Sequence, residues 1–198
     1  YDRVVAVDLR AAQIRGCLDI PVDDLYARPV MIDRVRQLDT KDVMVVSPDI
    51  GGTKLARAYA KDLGCDLAII DKRRISGEQT VIEHVIGDVK NRDVLLVDDM
   101  VSTGGSIVDA ARIVKEKGAR KVFIIATHAV LCGNAVERLN GADVEKILFA
   151  DTVPLHDKKI QRLDIGSGAE AEVFRKAIEA AAFKVSTVEA RPARRNPQ

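Results

Sequence analysis

The sequence predicts an α/β fold with a mainly parallel sheet flanked by helices. Short apolar runs, typical of buried strands, alternate along the chain with longer segments in which apolar residues recur at helical spacing. Strands that alternate with helices form parallel sheets, because each helix returns the chain to the start of the next strand. Polar and glycine-containing segments follow several strands, and such sheets bind their ligands there.

The individual elements follow from local patterns. Apolar runs predict strands at 4–9, 43–47, 67–71, 81–85, 94–97, 122–127, 147–150 and 160–165. Helical spacing predicts helices at 29–38, 53–63, 107–117, 134–139 and 169–182. Gly64 and Gly118 directly follow two of these helices, as helix-ending glycines do. A glycine and a proline predict irregular structure at 11–24, and the polar segment 72–79 predicts a mobile loop. The basic tail 185–198 predicts disorder at its end.

Composition narrows the class of protein. Apolar residues make up 47% of the 198 residues and the net charge is +1, so the chain has a core and no global attraction to polyanions. Aromatic residues make up 4% and Trp is absent, which argues against a stacking platform for single-stranded nucleic acid. The three cysteines are far apart and indicate reduced thiols. We therefore expect a cytoplasmic protein with no nucleic-acid partner and no membrane partner.

The central motif is VLLVDDMVSTGGS at 94–106, which combines a strand, an acidic pair and a small loop before a helix. A loop that enters a helix presents free backbone N–H groups and the positive end of the helix dipole, and both favour phosphate. Asp98 and Asp99 can accept hydrogen bonds from two ribose hydroxyls. The alternative is an acidic turn that caps an ordinary helix. The residues expected to hold the phosphate are Ser102, Thr103, Gly104, Gly105 and Ser106.

This motif resembles the ribose-phosphate site of the phosphoribosyltransferase fold. Three further stretches, at 7–27, 45–74 and 127–139, resemble one branch of that fold, the ribose-phosphate pyrophosphokinases. The similarity covers about residues 1–180, with the motifs in the order and spacing of that family. The resemblance implies a phosphoribosyltransferase-like α/β fold.

The resemblance also implies a domain organisation. The chain begins at Tyr1 directly on an apolar strand, as an N-terminally shortened pyrophosphokinase would. Residues 1–41 would be the remnant of a first, ATP-side domain, residues 42–180 the ribose-phosphate-binding domain, and residues 181–198 a tail. A chain without most of its ATP-binding surface is expected to be an inactive fragment by itself.

Further site residues follow from the resemblance. Asp49, in the SPDIGG segment, would help to hold Mg²⁺, whereas its residues alone also fit a glycine turn with a helix-capping Asp. Lys72 and Arg74 match two catalytic basic positions of the family and would stabilise charge on a diphosphoryl group in transfer, although a solvated basic cluster is the alternative. Arg10 stands where the family usually has a metal-ligating histidine. An arginine offers only donors, so it cannot replace that ligand, but it could contact phosphate.

The expected activity is that of a ribose-phosphate pyrophosphokinase. It would transfer the diphosphoryl group of ATP to ribose 5-phosphate and give phosphoribosyl diphosphate and AMP, with Mg²⁺ as cofactor and a homo-oligomer as the expected assembly. One rival is a nucleotide-salvage phosphoribosyltransferase, which shares the central motif but leaves SPDIGG and DKRR unexplained. Another is a non-catalytic, regulatory synthetase-associated subunit, which Arg10 favours and the intact Lys72 and Arg74 disfavour.

Overall fold

In a computed structural model, the chain is described at residues 2–76 and 79–165. The strands are β1 (Val4–Val7), β2 (Val22–Leu25), β3 (Val43–Ser47), β4 (Asp66–Ser76), β5 (Gln79–Ile86), β6 (Asp93–Val101), β7 (Lys121–Ala129), β8 (Lys146–Phe149) and β9 (Leu163–Ile165). The α-helices are α1 (Arg28–Val35), α2 (Thr53–Leu63), α3 (Gly105–Glu116) and α4 (Ala135–Gly141), and a 3₁₀ helix covers Ala12–Cys17.

The larger sheet has seven strands in the order β5-β4-β3-β6-β7-β8-β9. Among these described strands, β4 and β5 pair antiparallel and every other neighbouring pair is parallel. A separate parallel pair joins β1 to β2. The predicted α/β class with a mainly parallel sheet is confirmed.

Helices cover both faces of the large sheet, because successive side chains of each central strand point to opposite faces. In β3, Met44 and Val46 pack with α3 and α4, whereas Val45 packs with α1 and α2. The four central residues of β6, Val94 to Val97, have no exposed surface. Burial on both faces explains why this strand is a continuous apolar run in the sequence.

The loop predicted at 72–79 is wrong. Strand β4 continues to Ser76 and pairs with β5 in a long antiparallel hairpin, in which Lys72 lies opposite Ile82 and Arg74 opposite Thr80. A hairpin that extends past its neighbours is stabilised by its own backbone ladder, which does not require apolar side chains. Residues 77 and 78 lie outside the described residues.

Other boundaries also differ from the prediction. Strand β6 continues to Val101. Asp98 and Asp99 therefore lie inside the strand, near its carboxyl end, and not after it. Strand β2 lies in the segment predicted to be irregular. The predicted helix at 169–182 and the tail lie outside the described residues, and the domain division at 41 stays a prediction. In the described part of the chain, no helix is long and apolar enough to cross a membrane.

Two side chains attach β1 to the large sheet. Asp8, which follows β1 with a φ of +47°, accepts a hydrogen bond from Thr127 Oγ1 at 2.7 Å and one from the Ala27 N–H at 3.3 Å. His128 Nε2 donates to the Val7 carbonyl at 3.1 Å. These bonds fix the segment after β1 against the end of β7. These contacts give His128 a structural role.

Burial raises the pKa of Asp8 above its ordinary value of 3.8, and the hydrogen bond from Thr127 lowers it in part. The protonated carboxyl therefore stabilises the fold below pH 3.8, and this contribution is lost as the pH rises through the folded-state pKa. Removal of the Thr127 donor would raise the folded-state pKa further.

Thr127→Val should destabilise the protein by about 1 kcal/mol near neutral pH. Valine has a volume similar to that of threonine but cannot donate the hydrogen bond to the buried Asp8 carboxylate. The cost should shrink towards pH 3.8, where the carboxyl is protonated. Urea unfolding at a series of pH values measures it. Thr53→Val is the matched control, because its hydroxyl donates to the Ile50 carbonyl and to no carboxylate. An equal cost of Thr127→Val at every pH would contradict the assigned contact.

Candidate functional site

The carboxyl ends of β1, β3 and β6 and the N-terminus of α3 surround one cleft of about 650 Å³. Parallel neighbours end at the same edge of a sheet, so the segments that follow them meet there. The side chains and backbone that line the cleft include Asp8, Arg10, Asp24, Tyr26, Asp49, Lys54, Asp98, Asp99 and all residues from 100 to 107. The structure thus brings together Arg10, Asp49, the acidic pair and the small loop.

The small loop turns the chain from β6 into α3. Gly104 is the residue before the first helical turn and has a φ of +74°, a conformation that residues with a side chain rarely adopt. A side chain at 104 would also lie 3.5 Å from the Ala135 carbonyl. The N-cap residue of α3 is a glycine and makes no side-chain cap. The start of this helix lines the cleft, and a helix N-terminus suits an anionic ligand.

The loop is held from the side of α4. The Arg138 guanidinium donates to the Thr103 carbonyl at 3.0 Å, and the Cys132 N–H donates to the Ser102 carbonyl at 2.9 Å. The carbonyl oxygens of Ser102 and Thr103 are thus already hydrogen-bonded to groups on the α4 side of the loop. They therefore do not face the place where an anion would bind. Sequence reasoning missed Arg138, because nothing in its local pattern distinguishes it from an exposed helix residue.

The acidic pair occupies two different environments. Asp98 accepts a hydrogen bond from the Asp99 N–H at 2.9 Å. Burial, followed by the neighbouring Asp99 carboxyl, raises the pKa of Asp98 to about 7. The charge of Asp49 acts in the same direction. Three carboxyl groups therefore face one another closely enough to interact across the cleft.

Asp49 is held by the turn that follows β3. Its Oδ1 accepts a hydrogen bond from the Gly52 N–H at 2.8 Å, and the Ser47 hydroxyl donates to the Asp49 carbonyl at 2.7 Å. A side chain at position 52 would lie 2.9 Å from Ser47 Oγ, so the turn needs glycine there. This bond closes the turn before α2, and the helix itself has no side-chain cap at its N-cap residue, Gly52. Asp49 also lines the cleft.

Arg10 reaches across to the acidic pair. Its Nη1 lies 3.1 Å and 3.2 Å from the two carboxylate oxygens of Asp99. The arginine side chain is 67% exposed and that of Asp99 is 23% exposed. The pair joins residues 89 positions apart, so no local pattern of residues indicates it.

The donor set bears on whether a metal ion fits. In the described residues, no group of three or more His, Cys, Asp or Glu side chains is arranged to hold a metal. Mg²⁺ is usually held by one or two carboxylates, with water and substrate phosphates as the remaining ligands. Asp49, a carboxylate that lines the cleft, suits that mode of binding. The side chains of Lys72 and Arg74 lie outside the part of the chain that the structure describes.

Comparisons with known proteins show the family to which the chain belongs. The profile of the phosphoribosyl synthetase-associated domain family matches residues 73–179. A ribose-phosphate pyrophosphokinase of Chlorobaculum tepidum is 47% identical over 84% of this chain and 53% of its own length. One of Burkholderia pseudomallei is 43% identical over 87% of this chain and 56% of its own length. The chain thus spans about half the length of these curated relatives.

A solved structure is also similar. The crystal structure of phosphoribosylpyrophosphate synthetase from Mycobacterium smegmatis matches with a TM-score of 0.81 and 36% identity, over 92% of this chain and 59% of that one. The resemblance inferred from the motifs is confirmed. Because the family profile matches more than half of its residues, this chain belongs to the phosphoribosyl synthetase-associated domain family.

Proposed function

We propose that this chain is the sugar-phosphate-binding part of a ribose-phosphate pyrophosphokinase. The observation that carries the proposal is the meeting of two features in one cleft: the start of α3, whose N-cap residue is a glycine, and the carboxylates at the end of β6. The first suits the 5-phosphate of ribose 5-phosphate, and the second suits its ring hydroxyls. The identity to curated ribose-phosphate pyrophosphokinases supports the same assignment.

In the proposed reaction, the 1-hydroxyl oxygen of ribose 5-phosphate attacks the β-phosphorus of ATP. The bond between the β-phosphorus and the oxygen that bridges it to the α-phosphorus breaks, the hydroxyl loses its proton, and AMP leaves with phosphoribosyl diphosphate as the other product. No covalent enzyme intermediate is needed. Asp98 and Asp99 hold the ribose, and the loop holds its phosphate. The residues assigned to that loop are Ser102, Thr103, Gly104, Gly105 and Ser106.

Asp49 would hold Mg²⁺ together with oxygens of the substrates. When bound, the ion would neutralise charge on the phosphates. Lys72 and Arg74 are assigned to the diphosphoryl group in transfer. The register supports this assignment, because Ile69 of β4 lies opposite Ser47, the last residue of β3. The rest of β4 therefore extends beyond the edge of the sheet at which the cleft lies.

ATP and ribose 5-phosphate are the proposed substrates, and a cytoplasmic homo-oligomer is the proposed form of the protein. A non-catalytic, regulatory subunit is the second candidate, favoured by the contact between Arg10 and Asp99. Release of AMP from ATP and ribose 5-phosphate by the full-length protein discriminates between them. Base exchange with phosphoribosyl diphosphate tests the third candidate, a salvage phosphoribosyltransferase, which the identity to pyrophosphokinases disfavours.

The sugar-phosphate site can be tested by calorimetry with ribose 5-phosphate. Arg138→Ala should weaken binding by about two- to tenfold, the value of one hydrogen bond that orients the loop. Glu137→Ala, an exposed change at the adjacent position of the same helix, is the matched control and should bind normally. Failure of the unaltered chain to bind ribose 5-phosphate would remove the proposed site, and equal affinity of both variants would remove the role of Arg138.

The catalytic assignment of Lys72 can be tested by steady-state kinetics on the enzyme expressed at full length. A cation that acts only on the transition state raises turnover without tightening substrate binding. Lys72→Ala should therefore lower kcat by about a hundredfold or more and leave the KM for ribose 5-phosphate almost unchanged. Asp99→Asn should instead raise that KM, because Asp99 contacts the bound sugar throughout. A raised KM with intact kcat in Lys72→Ala would make the residue a binding element.

A further inference from the structure

We infer that Arg10 is the resident counter-cation of the carboxylates that receive the sugar, so that ribose 5-phosphate binds in this cleft without a divalent metal ion. The inference rests on the proposed function and goes beyond it, because it separates sugar binding from the metal requirement of the reaction. It assigns two roles to Arg10: to position the Asp99 carboxylate and to balance its negative charge. An arginine can do this because it is a permanent cation, whereas a metal-ligating side chain would not supply that charge.

The position of Arg10 is fixed by the backbone that precedes it. The Asp8 N–H donates to the Leu25 carbonyl at 2.8 Å, and the Leu9 N–H donates to Asp24 Oδ1 at 3.1 Å. The Asp8 carboxyl is bound in turn by Thr127. These three hydrogen bonds hold the turn after β1 in a position from which Arg10 reaches Asp99 of β6. The contact between Arg10 and Asp99 therefore depends on the hydrogen bonds that join the two sheets.

The cleft needs a positive charge at this place. Asp49, Asp98 and Asp99 line it together, and the proposed ligand is itself an anion. Arg10, Arg28 and Lys54 are cations that line the cleft. Arg10 forms an ion pair with Asp99 at 3.1 Å, whereas Arg28 pairs with Asp62. A guanidinium keeps its charge at every pH at which proteins are folded.

The contact leaves the acceptors of Asp99 usable. One nitrogen of Arg10 approaches both carboxylate oxygens, and each such oxygen can accept a second hydrogen bond. A ribose hydroxyl can therefore bind to Asp99 while the ion pair stays in place. The other guanidinium donors of this largely exposed side chain remain able to reach a phosphate oxygen. The arrangement neutralises Asp99 without competing with the sugar.

Exposed ion pairs of this kind add little to protein stability. Arg10→Ala is therefore expected to fold normally, with an unchanged melting temperature, and to report on ligand binding alone. Arg112→Ala is the matched control. Arg112 is also an exposed arginine in an ion pair, with Glu116 on α3, and it does not line the cleft.

The experiment is calorimetry of ribose 5-phosphate with the full chain, in EDTA and in MgCl₂ at matched ionic strength. The unaltered chain should bind equally in both, within about twofold, the range left by residual differences in screening. In EDTA, Arg10→Ala should bind about tenfold or more weakly, and Mg²⁺ should restore part of the loss. Arg10→Lys should retain most of the affinity in EDTA, since it keeps the charge, and Arg112→Ala should behave as the unaltered chain.

The outcomes separate this inference from the proposed function. If the unaltered chain binds ribose 5-phosphate only when Mg²⁺ is present, the inference is wrong and the sugar-phosphate site stands. If Arg10→Ala binds in EDTA as tightly as the unaltered chain, the inference is also wrong. If the unaltered chain binds in neither buffer, the proposed function fails together with the inference.

Discussion

The cleft depends on the backbone ladder that β6 makes with β3 and β7. Residues 93–96 pair with β3, and the strand pairs with β7 from Asp93 to Val101. The apolar part of β6 is buried on both faces, which leaves its carboxyl end as the place where polar side chains can stand. This constraint puts the acidic pair at the edge of the sheet and starts α3 beside it. A shift of the ladder by one residue would move the side chain of Asp98, and that of Asp99, each to the face opposite to the one it now occupies.

The second determinant is the attachment of the small β1–β2 sheet to the large one. The Asp8 carboxyl accepts a hydrogen bond from Thr127 of the large sheet, and the His128 ring of the large sheet donates one to the Val7 carbonyl of β1. Its consequence is chemical as well as structural, because the same turn delivers Arg10 to Asp99. A segment far away in sequence thereby contributes a positive charge beside the carboxylates of the cleft. Substitutions at Thr127 or His128 are expected to displace this turn and so to alter the contact between Arg10 and Asp99 in the cleft.

Different polar and charged elements lie at different positions along the edge of the sheet. The start of α3 and the carboxylates of β6 face each other within the cleft, whereas the β4–β5 hairpin extends beyond the end of β3. A substrate with a phosphate at one end and a reacting hydroxyl at the other fits such an arrangement. Groups that act on a transferred diphosphoryl group are most useful on an element that stands above the bound sugar. The proposed roles of Lys72 and Arg74 depend on this placement of the hairpin.

The sequence by itself determined the fold class, most of the strands and helices, and the motif at 94–106, because buried strands and helix starts have local signatures in residue type and spacing. It also identified Asp49 and Arg10 as residues of interest. Only the tertiary structure decided that the segment after Asp71 is a hairpin, that Arg138 holds the loop before α3, and that Arg10 pairs with Asp99. These features are contacts between residues distant in the chain. Their geometry depends on how strands and helices pack, and no local pattern of residues encodes it.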